Sequence, residues 1–186
     1  MKKIFILLFA AIGCTFMSCD NDEWGNGDPA MEHIYYFGFE NWGEAASGTF
    51  NKNGVVYDVT QGSTLEIPVQ FHSERVRSYD VVVYYYVSNG ASDLKRGVNY
   101  QIVDDKGTAI EPDANGAFSM SFPRAEKGVK NIYVKALTAG AGSFNVLTFD
   151  PVAGEIAHPD NITNSQTKDY EVRAFTKNYK VKVNVK

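Results

Sequence analysis

The sequence predicts an all-β fold, an antiparallel β-sandwich, from three observations. Apolar and polar residues alternate along most of the chain, which is the pattern of strands with one buried face. Helical spacing of apolar residues is almost absent from the same region. Turn residues such as Ser88-Asn89-Gly90 and Asp113-Ala114-Asn115-Gly116 separate the alternating runs. Many short strands divided by turns are typical of a β-sandwich, and no self-similar period indicates a repeat array.

Two strands can be assigned in detail. Leu65 to Phe71 alternates apolar and polar residues, with Pro68 on the outward set. Because proline has no N–H to give to a neighbouring strand, we expect this strand to lie at a sheet edge or to be bulged. Asp80 to Ser88 encloses a run of valines and tyrosines that is apolar on both faces, which predicts a central strand.

The last strand shows the alternation most clearly. Its valines alternate with Lys180, Lys182, Asn184 and Lys186, so one face is apolar and the other is basic and solvated. The other strands predicted by the same pattern are His33 to Phe39, Val55 to Val59, Tyr100 to Val103, Phe118 to Phe122, Ile132 to Leu137 and Phe144 to Phe149.

The N-terminus has the pattern of a secretory signal. Lys2 and Lys3 precede the apolar run Ile4 to Ile12, which is too short to span a bilayer. The run ends in Phe16-Met17-Ser18-Cys19, which resembles a bacterial lipobox, in which the cysteine is acylated and becomes the first mature residue. We therefore predict lipid attachment, palmitate included, at Cys19.

A rival lipobox ends at Cys14. Cleavage there would place Thr15-Phe16-Met17 directly after the lipidated cysteine, where a polar tether is expected. Cys19 is instead followed by Asp20 to Glu23, an acidic run that looks like the export signal of surface lipoproteins in glycan-foraging gut bacteria. We expect a lipoprotein signal peptide at 1–18, an acidic flexible tether at 19–31 and one β-sandwich domain at 32–186, anchored in the outer membrane and facing the cell exterior.

Charge and cysteine content exclude several classes of function. Residues 1–18 hold two of the 18 basic residues and none of the 22 acidic ones, so the remainder has a net charge of about −6. Such a domain has no electrostatic footprint for nucleic acid. Cys14 would leave with the signal and Cys19 would carry lipid, so the mature domain would have neither a disulfide nor a thiol nucleophile.

Residues 62 to 150 resemble the Calx-beta module, an immunoglobulin-like β-sandwich. The resemblance lies in the alternating strand, the aromatic strand Val81 to Val87, then Gly97-Val98-Asn99-Tyr100 and Lys130 before an isoleucine strand. The whole chain also looks like accessory surface lipoproteins of Sus-type glycan-uptake systems. Asn99 stands where the family has aspartate, and the nearby acids are more simply explained by Asp/Gly turns. We therefore predict no calcium site, and no metal or other cofactor.

The acidic stretch Ser18 to Asp28 does not change this expectation. Counted from Asp20, an EF-hand loop would have Trp24 at its fifth position and Met31 at its twelfth, where oxygen ligands are required.

Catalysis is not expected from the motifs present. His33, His72 and His158 lie far apart in sequence, and neither a zinc-binding His-Glu-x-x-His motif nor a Gly-x-Ser-x-Gly elbow occurs. His72 falls on the polar side of its strand, where a solvated side chain is the ordinary outcome. We predict a protein that is not an enzyme.

Binding has a sharper candidate in the Gly-rich loop Asn41 to Gly54. Trp42 and Phe50 could stack on a sugar ring there, or Trp42 could instead cap one end of the sandwich. The sequence thus favours an accessory polysaccharide-binding module, with Trp42 and Phe50 as ligand-binding residues. The alternative is a structural lipoprotein that docks on a transporter or another surface protein.

Overall fold

The computed structural model describes residues 31–40, 55–90, 92–138, 140, 142–150, 162–175 and 179–186. All of its strands belong to the compact unit His33–Lys186. Cys19, Trp42, Phe50 and His158, together with the predicted signal peptide and nearly all of the tether, lie outside the described residues.

The described residues form eleven strands in two sheets, so the predicted all-β sandwich is confirmed. The six-stranded sheet has the order β5-β7-β3-β1-β10-β9, and the five-stranded sheet has the order β2-β11-β8-β4-β6. In chain order the strands are β1 Ile34–Phe39, β2 Val55–Val59, β3 Thr64–His72, β4 Val81–Ser88, β5 Tyr100–Val103, β6 Ala117–Phe122, β7 Gly128–Ala136, β8 Gly142–Leu147, β9 Thr163–Gln166, β10 Glu171–Ala174 and β11 Lys180–Val185.

The core lies between the sheets and follows from the alternation. Ile67, Val69 and Phe71 of β3 are at most 1% exposed, whereas the residues between them are half-buried. Each large apolar side chain taken out of water in this way contributes roughly 1.5–3 kcal/mol. Phe71 also stacks on Phe122 of the opposite sheet, with ring centroids 4.7 Å apart.

Most pairings are antiparallel, but two are parallel. β1 pairs with β10 and β2 pairs with β11 in parallel, and each of these pairs joins an early strand to a late one. The alternation pattern places strands along the chain but contains no information about such pairings.

The prediction that the Pro68 strand is bulged or at an edge is wrong. Strand β3 is interior, with β7 on one side and β1 on the other. The carbonyl of Pro68 accepts the N–H of Glu40 at 3.0 Å, just past the end of β1. The ring nitrogen faces the same side, because the N–H and C=O of one residue point to the same neighbouring strand. The missing donor therefore falls where the adjacent strand has already ended.

Strand β4 is interior, as its sequence predicts, but half of one edge lacks a partner strand. It pairs with β8 only through Tyr86 to Ser88. On that side the N–H and C=O of Tyr84 bond to the side chain of Asn164. The N–H of Val82 donates to the hydroxyl of Tyr170, and its carbonyl accepts from Ser165. Strand β9, which the alternation did not predict, and Tyr170, just before β10, supply this closure.

Candidate functional site

An open groove of about 690 Å³ lies on the solvent side of the five-stranded sheet. The loop after β4, the start of β8 and the outward residues of β2 and β11 form it. Its polar residues are Asn89, Ser92, Asp93, Ser143, Asn145, Lys180 and Lys182. No aromatic side chain of the described residues lines it.

Asn89 fixes the loop that forms one wall of the groove. Its side-chain Oδ1 accepts the hydroxyl of Tyr100 at 2.6 Å, and its Nδ2 donates to the carbonyl of Leu94 at 2.8 Å. Burial raises the pKa of Tyr100, so the phenol remains a donor, and its ring stacks on Phe144 at 4.0 Å. The wall is therefore pre-organised from the core outward.

The loop is also packed against two glycines at the start of β8. A Cβ on Gly142 would lie 2.7 Å from Cγ of Leu94 and 2.9 Å from Oγ of Ser92. A Cβ on Gly140 would meet Cδ2 of Leu94 at 2.9 Å. Any side chain at these positions would push the loop outward, so the glycines determine the shape of this part of the groove.

Four outward residues form a row across neighbouring strands of the five-stranded sheet. Ser88 of β4 is opposite Asn145 of β8, Asn145 is opposite Lys182 of β11, and Lys182 is opposite Val56 of β2. Neighbouring strands in a sheet are about 4.8 Å apart, so these side chains are close enough to contact one ligand together.

Two lysines of β11 differ in their partners from Lys186, which directly follows the strand. Lys186 lies 2.5 Å from Oδ2 of Asp58, and Asn184 donates to the other oxygen of that carboxylate at 2.8 Å. Lys180 and Lys182 form no ion pair or hydrogen bond through their side chains with any described residue. The basic face predicted for the last strand is thus partly neutralised at one end and open within the groove.

The described histidines lie in separate environments. Nδ1 of His33 is 2.9 Å from the hydroxyl of Tyr79, which in turn contacts the hydroxyl of Tyr35 at 2.8 Å. Burial raises the pKa of Tyr79, and its hydrogen bond with Tyr35 raises it further.

His72 is half-buried rather than fully solvated. Its ring packs edge-on against Phe175 with centroids 4.8 Å apart, and burial and then the charge of Lys127 lower its pKa. The outward position was predicted correctly, but Phe175, which follows the unpredicted strand β10, covers it.

Asn99, at the position where the Calx-beta pattern has aspartate, stabilises its own loop. Its Oδ1 accepts the N–H of Lys95 at 2.9 Å and its Nδ2 donates to Thr138 at 3.3 Å. Asp104 and Asp113 each accept two backbone N–H groups of their own turns. These acids therefore act in turns, as their sequence context indicates.

Metal-binding clusters and membrane-spanning helices are both absent from the described residues. In that part of the chain, no group of three or more histidine, cysteine, aspartate or glutamate side chains is placed to hold a metal ion. The same part contains no helix that is long and apolar enough to cross a bilayer.

No protein-family model and no curated protein matches this chain. Among solved structures it is similar to the cohesin CaCohA2 of Clostridium acetobutylicum, with 14% identity, a TM-score of 0.38, and coverage of 83% of this chain and 92% of that one. The third ScaB cohesin of R. flavefaciens, in complex with a group 1 dockerin, gives 14% identity, a TM-score of 0.29, and coverage of 83% and 95%.

A third similar structure is the CARDB domain of the PF1109 protein of Pyrococcus furiosus, with 11% identity, a TM-score of 0.27, and coverage of 83% and 97%. At these identities and TM-scores, the three likenesses carry no information on what this chain binds.

The sequence located part of the groove and missed the rest. It placed Lys180 and Lys182 on a solvated basic face, but it singled out neither Asn145, within the predicted strand Phe144 to Phe149, nor Ser143, which precedes that strand. The register between β8 and β11 brings them beside the lysines, and nothing in either strand alone indicates that register.

Proposed function

We propose that this chain is a non-catalytic, lipid-anchored protein of the outer-membrane surface whose β-sandwich binds a polysaccharide as an accessory to glycan uptake. The lipobox-like Cys19, the acidic run after it and the resemblance to Calx-beta and Sus-type lipoproteins support the location. The groove on the five-stranded sheet supports the binding role.

One observation carries the binding role: the groove presents polar side chains that have no partner among the described residues. The side chains of Asp93, Ser143, Asn145, Lys180 and Lys182 make no hydrogen bond or ion pair with any described residue. Sugar rings carry many hydroxyls, each of which needs a donor or an acceptor when it leaves water. A pre-formed groove with an amide, a carboxylate, a hydroxyl and ammonium groups matches that requirement.

Affinity electrophoresis tests the proposal. The full-length chain, purified in detergent, is run through gels that contain plant, host or microbial polysaccharides, with and without calcium. We expect retardation by at least one glycan, and Asn145→Ala should weaken it about three- to tenfold because one hydrogen bond to the ligand is lost. Gln70→Ala, which removes an amide from the outer face of the other sheet, is the matched control.

Trp42→Ala and Phe50→Ala belong in the same gels. If these aromatic side chains stack on the sugar, each variant should bind more weakly, by an amount typical of one aromatic contact, about 0.5–1.5 kcal/mol. Equal migration of wild-type protein in every gel would contradict the binding role.

Docking on a transporter or another surface protein is a second candidate. Val56 lies on β2, an edge strand of the five-stranded sheet, and its side chain is 52% exposed. An edge strand can receive a strand from a partner. Membrane co-purification that recovers a stoichiometric partner from wild-type protein, but not from Val56→Lys, would favour this role.

A further inference from the structure

We propose that the ligand of the groove is an acidic glycan, a sugar chain that carries carboxylate or sulfate groups, and that Lys180 and Lys182 hold those groups. This inference rests on the proposed polysaccharide-binding function and specifies its substrate class.

The two lysines are positioned as a pair. They occupy alternate positions of β11, so they extend from the same face about 6.6 Å apart along the strand. Both residues are half-buried. Lysines at such positions lay their aliphatic stems along apolar surface and keep the ammonium group in water. Two charges at this spacing can contact successive anionic groups on one chain.

Their described neighbours across the sheet carry no negative charge. Lys180 is opposite Leu147, and Lys182 is opposite Asn145 on one side and Val56 on the other. Lys186, just past the end of the strand, shows the contrasting arrangement, because Asp58 neutralises it. The pair is therefore not part of the ion-pair network of the described residues.

The net charge of the described groove lining has the opposite sign to that of the whole chain. The whole sequence has a formal net charge of −4, yet the described lining holds two ammonium groups and one carboxylate, that of Asp93. Asp93 can accept sugar hydroxyls, while Asn145 and Ser143 can donate beside the lysines. This division of donors and acceptors fits a ligand that has both anionic groups and hydroxyls.

The size of the groove favours a sugar chain over a free inorganic anion. A volume of about 690 Å³ lies within the range of organic ligand sites. A free sulfate or phosphate would contact only a small part of it, and would leave Asp93 and the opposite wall unused.

Matched polysaccharides test the inference in affinity gels with the full-length chain in detergent. Dextran sulfate is compared with dextran, and polygalacturonate with its methyl ester, so that each pair differs only in its anionic groups. The double variant Lys180→Gln/Lys182→Gln is compared with Lys135→Gln/Lys168→Gln, which removes the same charge from elsewhere on the surface.

We expect an anionic member of at least one pair to retard the wild-type chain more than its neutral partner. The groove double variant should bind about fivefold more weakly, the scale of two exposed ion pairs, and added salt should reduce the difference. The control variant should bind like the wild type. Retardation by dextran sulfate alone would identify sulfate as the anionic group that the groove binds. Retardation by polygalacturonate alone would identify carboxylate.

Two results would overturn the inference in distinguishable ways. The first is equal binding of the neutral and anionic members, or binding that the groove double variant does not change. Either would contradict the acidic ligand while leaving polysaccharide binding intact. The second is the absence of retardation by both pairs and by every glycan of the wider panel, which would contradict the proposed function as well.

Discussion

At the residue scale, Asn164 connects the two sheets through backbone groups. Its Oδ1 accepts the N–H of Tyr84 at 2.8 Å, and its Nδ2 donates to the carbonyls of Tyr84 at 2.6 Å and Thr148 at 2.8 Å. Ser165 adds a bond to the carbonyl of Val82 at 2.6 Å. The buried amide of Asn164 thus pairs with backbone groups of β4 that a neighbouring strand would otherwise pair with.

Asn164→Ala should lower the free energy of unfolding by about 2–4 kcal/mol. The substitution leaves the N–H and C=O of Tyr84 and the C=O of Thr148 without this partner, and orphaned buried backbone groups cost more than an average hydrogen bond contributes. Urea denaturation measures the change. Gln166→Ala removes an exposed amide from the same strand and should change stability little; equal losses in the two variants would contradict the role of Asn164.

His72 should make the fold less stable at mildly acidic pH. Burial and then Lys127 lower the pKa of His72 below its ordinary 6.5 in the folded chain, so the unfolded chain binds the proton more readily. Stability then falls as the pH decreases through about 6.5. Urea midpoints at pH 7.5 and 5.5 should differ less for His72→Gln than for wild type. An unchanged difference would mean that another group causes the pH dependence.

At the element scale, a bulge in β9 aims two consecutive side chains at β4. Val172 of β10 pairs with Ser165, and Arg173 pairs with Thr163, so Asn164 is the extra residue. An inserted residue rotates the strand locally and re-aims its side chains. Asn164 and Ser165 are therefore both buried, although adjacent residues of a regular strand face opposite sides.

Glycine at the start of β8 determines the shape of the groove. Gly142→Ala would place Cβ within 2.9 Å of Leu94 and Ser92 side chains, so we expect a loss of about 1–3 kcal/mol and a displaced loop. Gly128→Ala at the start of β7 is the control, since no atom lies within 4 Å of its added Cβ. Thermal denaturation compares the two variants, and equal melting temperatures would contradict the close packing.

At the scale of the whole molecule, the predicted anchor and the proposed binding groove lie in different parts of the chain. The predicted anchor at Cys19 precedes the compact unit His33–Lys186, which holds the groove. Loss of the lipid should therefore change where the protein is found without changing the affinity of its groove.

Cys19→Ala should abolish the incorporation of radiolabelled palmitate and release the protein from membranes. A single-chain attachment would bind only weakly, so the expected several acyl chains account for stable retention. Cys14→Ala distinguishes the rival lipobox and should leave labelling intact. Labelling that disappears with Cys14→Ala and persists with Cys19→Ala would move the attachment site to Cys14.

Prediction from the sequence succeeded for nine of the eleven strands of the described residues and missed β9 and β10, although β10 has Val172 and Ala174 buried on one face. The predicted strands from β1 to β8 and β11 have apolar faces on the shared core, so their alternation is visible along the chain. Strand β9 has the sequence Thr-Asn-Ser-Gln, and its buried residues are polar because they bond to β4. No hydrophobic pattern can mark a strand whose buried side chains bind backbone groups of another sheet.

The sequence by itself determined the all-β class, the positions of most strands and the basic face of the last strand, because burial with a period of two is a local property of the chain. The tertiary structure decided the interior place of Pro68, the closure by Asn164 and the joining of Asn145 to Lys182 in one groove. Each of these depends on which strands become neighbours and in what register, and residues far apart in sequence set that register together.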